Sequence, residues 1–244
     1  MSKELRLMVG IPSTQEWDAE FGMSLVLMST FMGFPVPGFD RQSVRIHNKR
    51  GSILAQMRQE LVEQAMEMEA THLLFVDSDQ VFPKDLVHRM LRRMLKPEVQ
   101  VVAANVATKM LPSTPTARGF DKEPVYTLPE SQGLEKVWRV GTGVMMIDMR
   151  VFERSGMVEP PWFDVKWNAE TGKYVGEDWY FCQRLERAGV SLWVDHDLSK
   201  EIGHRGVLAY DHSMVEVDGR YPWQEVVEDG AVCSGEEESV LEAG

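Results

Sequence analysis

Cysteine is scarce in this chain. Cys182 and Cys233 are the two in 244 residues, and they form neither a metal-ligand spacing nor a disulfide framework, so a reducing compartment is expected. Long hydrophobic runs are missing too. No stretch approaches the roughly 20 apolar residues of a membrane span, and the opening MSKELRLMVG holds no signal-peptide core, so a soluble, unprocessed, cytoplasmic protein is expected. Positive charge is in deficit, with 26 Lys and Arg against 38 Asp and Glu and a formal net charge of −12. That balance argues against a surface built to coat duplex nucleic acid, because phosphate binding rests mainly on Lys and Arg. A composition of 43% hydrophobic and 26% charged residues is ordinary for a globular protein, and the length suits one core.

The most informative stretch is Thr71 to Asp79, THLLFVDSD. Leu73, Leu74, Phe75 and Val76 do not alternate with polar residues, so they predict a strand covered on both faces, as in a parallel sheet. Ligands gather at the carboxyl ends of such strands, where Asp77, Ser78 and Asp79 fall. Capping is the ordinary alternative for an Asp-Ser-Asp sequence. Pro83 suits the first position of a helix running to about Leu95, which places the cap at Phe82, beyond both aspartates, and leaves a turn as the structural explanation.

The rest of the chain alternates between strand and helix signals. Leu5 to Ile11 predicts a buried strand, with Pro12, Ser13 and Thr14 as a polar turn at its ligand-side end. Trp17 to Met32 predicts a helix, Ser43 to His47 a short strand, and Ser52 the N-cap of a helix from Ile53 to Glu69. Arg58 interrupts the apolar stripe of that helix, either snorkelling along the core edge or binding phosphate. Val99 to Asn105 predicts another strand, completing βαβαβ units. Leu111 to Gln132 reads as a long loop or irregular hairpin, and Val137 to Asp148 as one strand broken by Gly141 and Gly143. Val151 to Ser155 adds a short helix. Pro160 to Tyr174 reads as a loop whose aromatics serve either as an acceptor platform or as a satellite core. Glu177 to Ala188 predicts a helix whose inward stripe of Phe181, Cys182, Leu185 and Ala188 extends back to Asp178, and Val190 to Val194 returns as a strand. One domain over residues 1–210 is expected, with an acidic, loosely ordered extension over 211–244.

Asp77 and Asp79 can share one hard cation with phosphate oxygens, and His204, an imidazole ligand, favours Mn²⁺ over Mg²⁺. Arg58 can stabilise a diphosphate, and Asp178, beside Glu177, can take a proton from an attacking hydroxyl. Spacing alone does not separate glycosyl transfer from nucleotidyl transfer.

The ordered set of FVDSD at 75–79, GTGVMMI at 141–147, GEDWYFCQRLERAG at 176–189 and Asp195 followed by GHRG at 203–206 resembles the GT-A glycosyltransferases, in particular family 2-like enzymes. The resemblance covers residues 5 to 206. It implies a Rossmann-like α/β fold with a mostly parallel sheet flanked by helices, and a DxD motif serving a nucleotide-diphosphate sugar donor. Ile11 to Thr14 would bound the nucleotide pocket, Asp77 would contact the donor, and Asp79 and His204 would hold Mn²⁺ (or Mg²⁺). Asp178 would be the base of an inverting transfer to an unknown hydroxyl acceptor on a glycan, protein, lipid or modified base. GT-A enzymes of both stereochemical outcomes use DxD, so retention stays open at this point. A nucleotidyltransferase acting on a sugar phosphate and a noncatalytic nucleotide-sugar-binding protein are the alternatives.

Overall fold

Strands that are apolar throughout need helices over both faces, and the computed structural model, which describes residues 3–14, 16–206 and 209–222, provides them. In chain order the elements are β1 (Glu4–Ser13), α1 (Ala19–Phe31), β2 (Arg41–Arg50), α2 (Leu54–Glu67), β3 (His72–Val76), β4 (Gln80–Val81), α3 (Leu86–Arg93) and β5 (Val101–Ala103). Then follow β6 (Leu134–Val137), β7 (Val144–Asp148), β8 (Lys166–Asn168), β9 (Lys173–Val175), α4 (Glu177–Arg187), β10 (Leu192–Asp195), α5 (His196–Ser199), β11 (Gly203–Arg205) and β12 (Ala209–Tyr210).

The main sheet has the order β2-β1-β3-β7-β5-β10-β6. The pairings β2/β1, β1/β3 and β5/β10 are parallel, whereas β7 runs antiparallel between β3 and β5, as does β6 at the edge. A mostly parallel α/β sheet results. Successive residues of β3 feed opposite cores. Leu73 and Phe75 join α2 and α4 on one face, and Leu74 and Val76 join α1 and α3 on the other. On the first face Gly10 lets α2 lie close to β1, since a Cβ there would meet Leu73 Cδ1 at 3.3 Å and Leu61 Cδ1 at 3.4 Å. Among the described residues no helix is long and apolar enough to cross a membrane.

Several local expectations are corrected. Pro83 is not the first helical residue. Gln80 and Val81 are drawn into a small sheet with β11, so the chain leaves them extended and needs a turn, closed by Leu86 N to Pro83 O at 3.1 Å, before α3 begins. Ser52 does not cap α2; Ile53 occupies that position without a side-chain cap. Of residues 137–148, Val137 ends β6, 138–143 lie outside the named strands, and Val144–Asp148 form β7. The segment between them returns from the amino end of the parallel strands, where Val137 pairs with Leu192, to their carboxyl end, where Val144 pairs with Val76, placing β6 at the edge on β10 and β7 in the interior. The strand expected at Ser43 to His47 extends over ten residues because β1 offers a partner along its whole length.

Residues 111–132 contain no regular strand, as expected. The aromatics of 160–174 divide. Trp162 and Phe163 are buried against Phe152, Phe75 and Phe181, while Trp167 and Tyr174 form an exposed cross-strand pair on the β8–β9 hairpin. After β12, the buried His212 is in contact with Asn105 O through Nε2 at 2.6 Å, and Ser113 bridges to Val215. The acidic stretch Glu228 to Gly244 and Cys233 lie outside the described residues.

Candidate donor site at the sheet's carboxyl edge

The apolar run of β3 ends at Val76, and the next three residues turn across the sheet edge, with Gln80 N donating to Asp77 O at 3.1 Å. Neither aspartate caps a helix. The Asp77 amide donates to Gly143 O at 2.8 Å, and its carboxylate receives Arg58 Nη2 at 2.8 and 3.0 Å. Arg58 settles its own alternatives by burial. It is 1% exposed, packs over the Phe75 ring at 5.3 Å and places Nε 3.5 Å from Glu177 Oε1, so it lies under the carboxylates and does not snorkel to solvent. A buried charge needs such partners.

Asp79 faces two other groups. Lys109 Nζ pairs with Oδ2, and His204 Nε2 stands 3.5 Å from Oδ1. Burial by itself raises this carboxyl's pKa, but His204 and Lys109 outweigh it and hold the group at about 2. His204 reaches Asp79 because β11 pairs with β4, putting His204 opposite Gln80, and Arg205 N donates to Asp79 O at 2.7 Å.

The charge pattern around α4 is different. Glu177 and Asp178 occupy its first turn, Gly176 is the N-cap, and Trp179 N donates to Asp178 Oδ1 at 2.6 Å. Burial first, then the neighbouring Glu177 carboxylate, pushes the Asp178 pKa up to about 6, against an ordinary value of 3.8. A carboxyl poised there can both accept and release a proton near neutrality.

The described residues include no cluster of three or more His, Cys, Asp and Glu side chains set to hold a metal. What the structure does bring together is Asp79 and His204. His204 Nδ1 faces Ala107 O at 2.9 Å and must be the donor there, so Nε2 is the ring nitrogen turned toward Asp79 Oδ1. That oxygen is buried without a hydrogen-bond partner. A carboxylate oxygen and an imidazole nitrogen side by side are a usual pair of metal ligands, and a ligand histidine commonly has its second nitrogen tied to a carbonyl in this way. The pair therefore fits a divalent ion, whereas Asp77 is occupied by Arg58.

Of the three residues expected to bound a nucleotide pocket, Pro12 and Ser13 lie in the end of β1 and Thr14 is exposed beyond it. Asn48 Nδ2 donates to Ser13 Oγ at 2.7 Å, tying β1 to β2. Ser78 is half-buried, and its carbonyl accepts from Asp18 N at 3.2 Å.

Sequence reasoning passed over Gln80, Lys109, Thr116 and Thr142. Both amide atoms of Gln80, the hydroxyls of Thr116 and Thr142, and Arg58 Nη1 are buried and lack hydrogen-bond partners among the described residues. A Cβ on Gly143 would stand 3.4 Å from both Asp77 Oδ2 and Gln80 Nε2, and one on Gly141 would stand 3.2 Å from Thr116 Cβ, so these groups share one end of the sheet. Native interiors seldom leave so many polar atoms unpaired together without water, an ion or a ligand to partner them. The signal for Lys109 was available, since it follows the carboxyl end of β5 as Asp77 follows that of β3.

Comparison with known proteins finds no matching family profile and no matching curated protein. Among solved structures, the crystal structure of A197 from STIV aligns over 83% of this chain and 86% of its own, with 18% identity and a TM-score of 0.56. S. aureus TarS 1-349 in complex with UDP-GlcNAc aligns over 93% of this chain, which spans 62% of that one, at 12% identity and a TM-score of 0.47. The sheet order, the helices on both faces and the match to A197 establish the GT-A fold for this chain.

Proposed function

We propose that this chain is a metal-dependent glycosyltransferase, family 2-like within the GT-A fold, that moves a sugar from a nucleotide-diphosphate donor to a hydroxyl acceptor with inversion. The observation that carries the reading is the pairing, at one sheet edge, of a cation-ready Asp79–His204 couple with a carboxyl, Asp178, held near pH 6. In the proposed reaction Asp178 accepts the acceptor's hydroxyl proton as its oxygen bonds the anomeric carbon. The bond from that carbon to the diphosphate oxygen breaks, and the electron pair leaves with the nucleoside diphosphate. A bound Mn²⁺ or Mg²⁺ supplies Lewis-acid stabilisation of that leaving group. Asp79 and His204 would hold it, and Arg58, bonded to Asp77, would orient that carboxylate beneath the donor.

The test is ligand-induced stabilisation with UDP-, GDP- and TDP-sugars, each with and without Mn²⁺, followed by product analysis with a labelled donor. One donor should raise the melting temperature only with the metal, because a ligand bound to the native state alone stabilises it. Asp79→Ala should weaken that metal-dependent binding by about 10-fold or more, since a metal ligand is lost. An Asp79→Ala protein with unchanged Mn²⁺-dependent binding would remove Asp79 from the metal site. Sugar phosphate converted to nucleotide-sugar would identify a nucleotidyltransferase, and binding without turnover a noncatalytic receptor.

A further inference from the structure

Lys109 has no part in the reaction as drawn above, yet its ammonium holds the carboxylate on which the metal site depends. It belongs to the loop that follows β5. That loop is closed on itself by Thr108 N to Thr114 O at 2.9 Å, by Ser113 Oγ to Thr108 O at 2.7 Å, and by a bridge between Ala107 and Pro115. The same loop supplies the Ala107 carbonyl that fixes His204. One short segment therefore sets both the imidazole and the counter-ion of Asp79.

Two other cations near the site are committed. Arg58 is enclosed between Asp77 and Glu177 and cannot leave without stranding two partly buried carboxylates. Arg205 is drawn toward Asp18 at 3.6 Å and Glu20 at 3.5 Å. Lys109 differs, because its side chain is 34% exposed and rides on a flexible four-carbon stem. Asp77, Asp79, Glu177 and Asp178 already crowd the sheet edge, and a diphosphate adds further negative charge. A mobile ammonium at that point has two anions to choose between.

We propose that Lys109 is a tethered counter-ion of Asp79, displaced by the divalent cation and then transferred onto the diphosphate of the donor. The inference rests on the donor-site reading above. Before loading, the ammonium neutralises Asp79. A divalent ion placed on Asp79 and His204 repels it, and phosphate oxygens gathered at the same ion give it a new partner. Metal alone must then compete with Lys109, whereas metal and diphosphate together satisfy every charge, so the two ligands bind with positive coupling.

Isothermal titration of the full chain with Mn²⁺ alone, and then with inorganic pyrophosphate at saturating Mn²⁺, tests this in the wild type, Lys109→Met and Lys109→Arg. Lys109→Met should bind Mn²⁺ alone about tenfold more tightly, and pyrophosphate about tenfold more weakly, with Lys109→Arg close to wild type in both. A general loss of structure would weaken both ligands and cannot mimic opposite shifts. Unchanged Mn²⁺ affinity in Lys109→Met, or unchanged pyrophosphate affinity, overturns the inference. If none of the three proteins binds Mn²⁺ while the wild type still transfers sugar, the inference falls and the transferase reading stands without its Mn²⁺. If no nucleotide-sugar stabilises the wild type or yields product, both fall together.

Discussion

Asp178→Asn is expected to cost about 10³-fold in turnover and, at the same time, to make the protein more stable at pH 8. The two effects have one origin. Asp178 has a pKa of about 6 in the folded chain against an ordinary 3.8, so the fold disfavours its ionised form. A group whose folded pKa lies above its unfolded value stabilises the native state at low pH. That contribution is lost as pH rises from about 4 through 6, and the ionised carboxylate then costs on the order of 2–3 kcal/mol. Asparagine keeps the shape and can still accept from Trp179 N, but carries no charge to desolvate. The gain in melting temperature should therefore be several degrees at pH 8 and close to zero at pH 4. Transfer by the wild type should rise with pH through about 6, as expected for a base that works deprotonated. Thermal melts at the two pH values, with initial rates over the same range, check both halves. A variant that retains turnover would remove Asp178 as the base, and equal melting shifts at pH 4 and 8 would show that its ionisation carries no folding cost.

Arg58→Met should have the opposite effect on stability. The substitution keeps an apolar stem within α2 but leaves Asp77 and Glu177 facing each other, with Asp178 close by, without their shared cation. Breaking a buried ion pair from one side costs about 3–5 kcal/mol, which for a chain of this size is a fall of about 10 °C in melting temperature. The loss should shrink toward pH 5, because stranded carboxyls relieve their repulsion by taking up protons. Denaturant unfolding at pH 5 and 8 measures the difference. Adding Asp77→Asn should recover part of the loss, since the residues interact directly and their effects cannot add. A pH-independent loss with no recovery would mean that Arg58 acts through packing alone.

The same two residues show where sequence reasoning succeeds and where it stops. Asp178 was found from its place on a helical stripe, and the structure puts it in the first turn of α4, half-buried and electrostatically coupled to Glu177, Arg58 and Asp77. Arg58 was found for the same reason, as a charge among apolar neighbours, but its partner was not. Asp77 lies 19 residues further along the chain, and only the parallel pairing of β1 with β3, with α2 packed against them, brings the two into contact. Lys109 has a place after the carboxyl end of β5 as its one local signal, and no acidic neighbour in the sequence to show what it pairs with. Its importance comes from Asp79, thirty residues earlier.

The single strand expected at Val137 to Asp148 is the clearest local failure. Two apolar runs joined by glycines look continuous to a period-based reading, whereas the first leaves the edge strand after Val137 pairs with β10 and the second, from Val144, is paired between β3 and β5. The glycines mark the crossing. Pro83 failed for a related reason: a favourable first-turn residue was overruled when Gln80 and Val81 were recruited by β11, more than a hundred residues away.

By itself, then, the sequence determined that the chain is α/β, that β3 is buried on both faces and ends in carboxylates, and that a second acidic pair heads a later helix. Those properties follow from side-chain periodicity and capping preferences, which are local. The tertiary structure alone decided that Asp77 belongs to Arg58 while Asp79 belongs to Lys109 and His204. Which charge meets which depends on strand order and register, and these are fixed by burial of the whole sheet and not by any one stretch of chain.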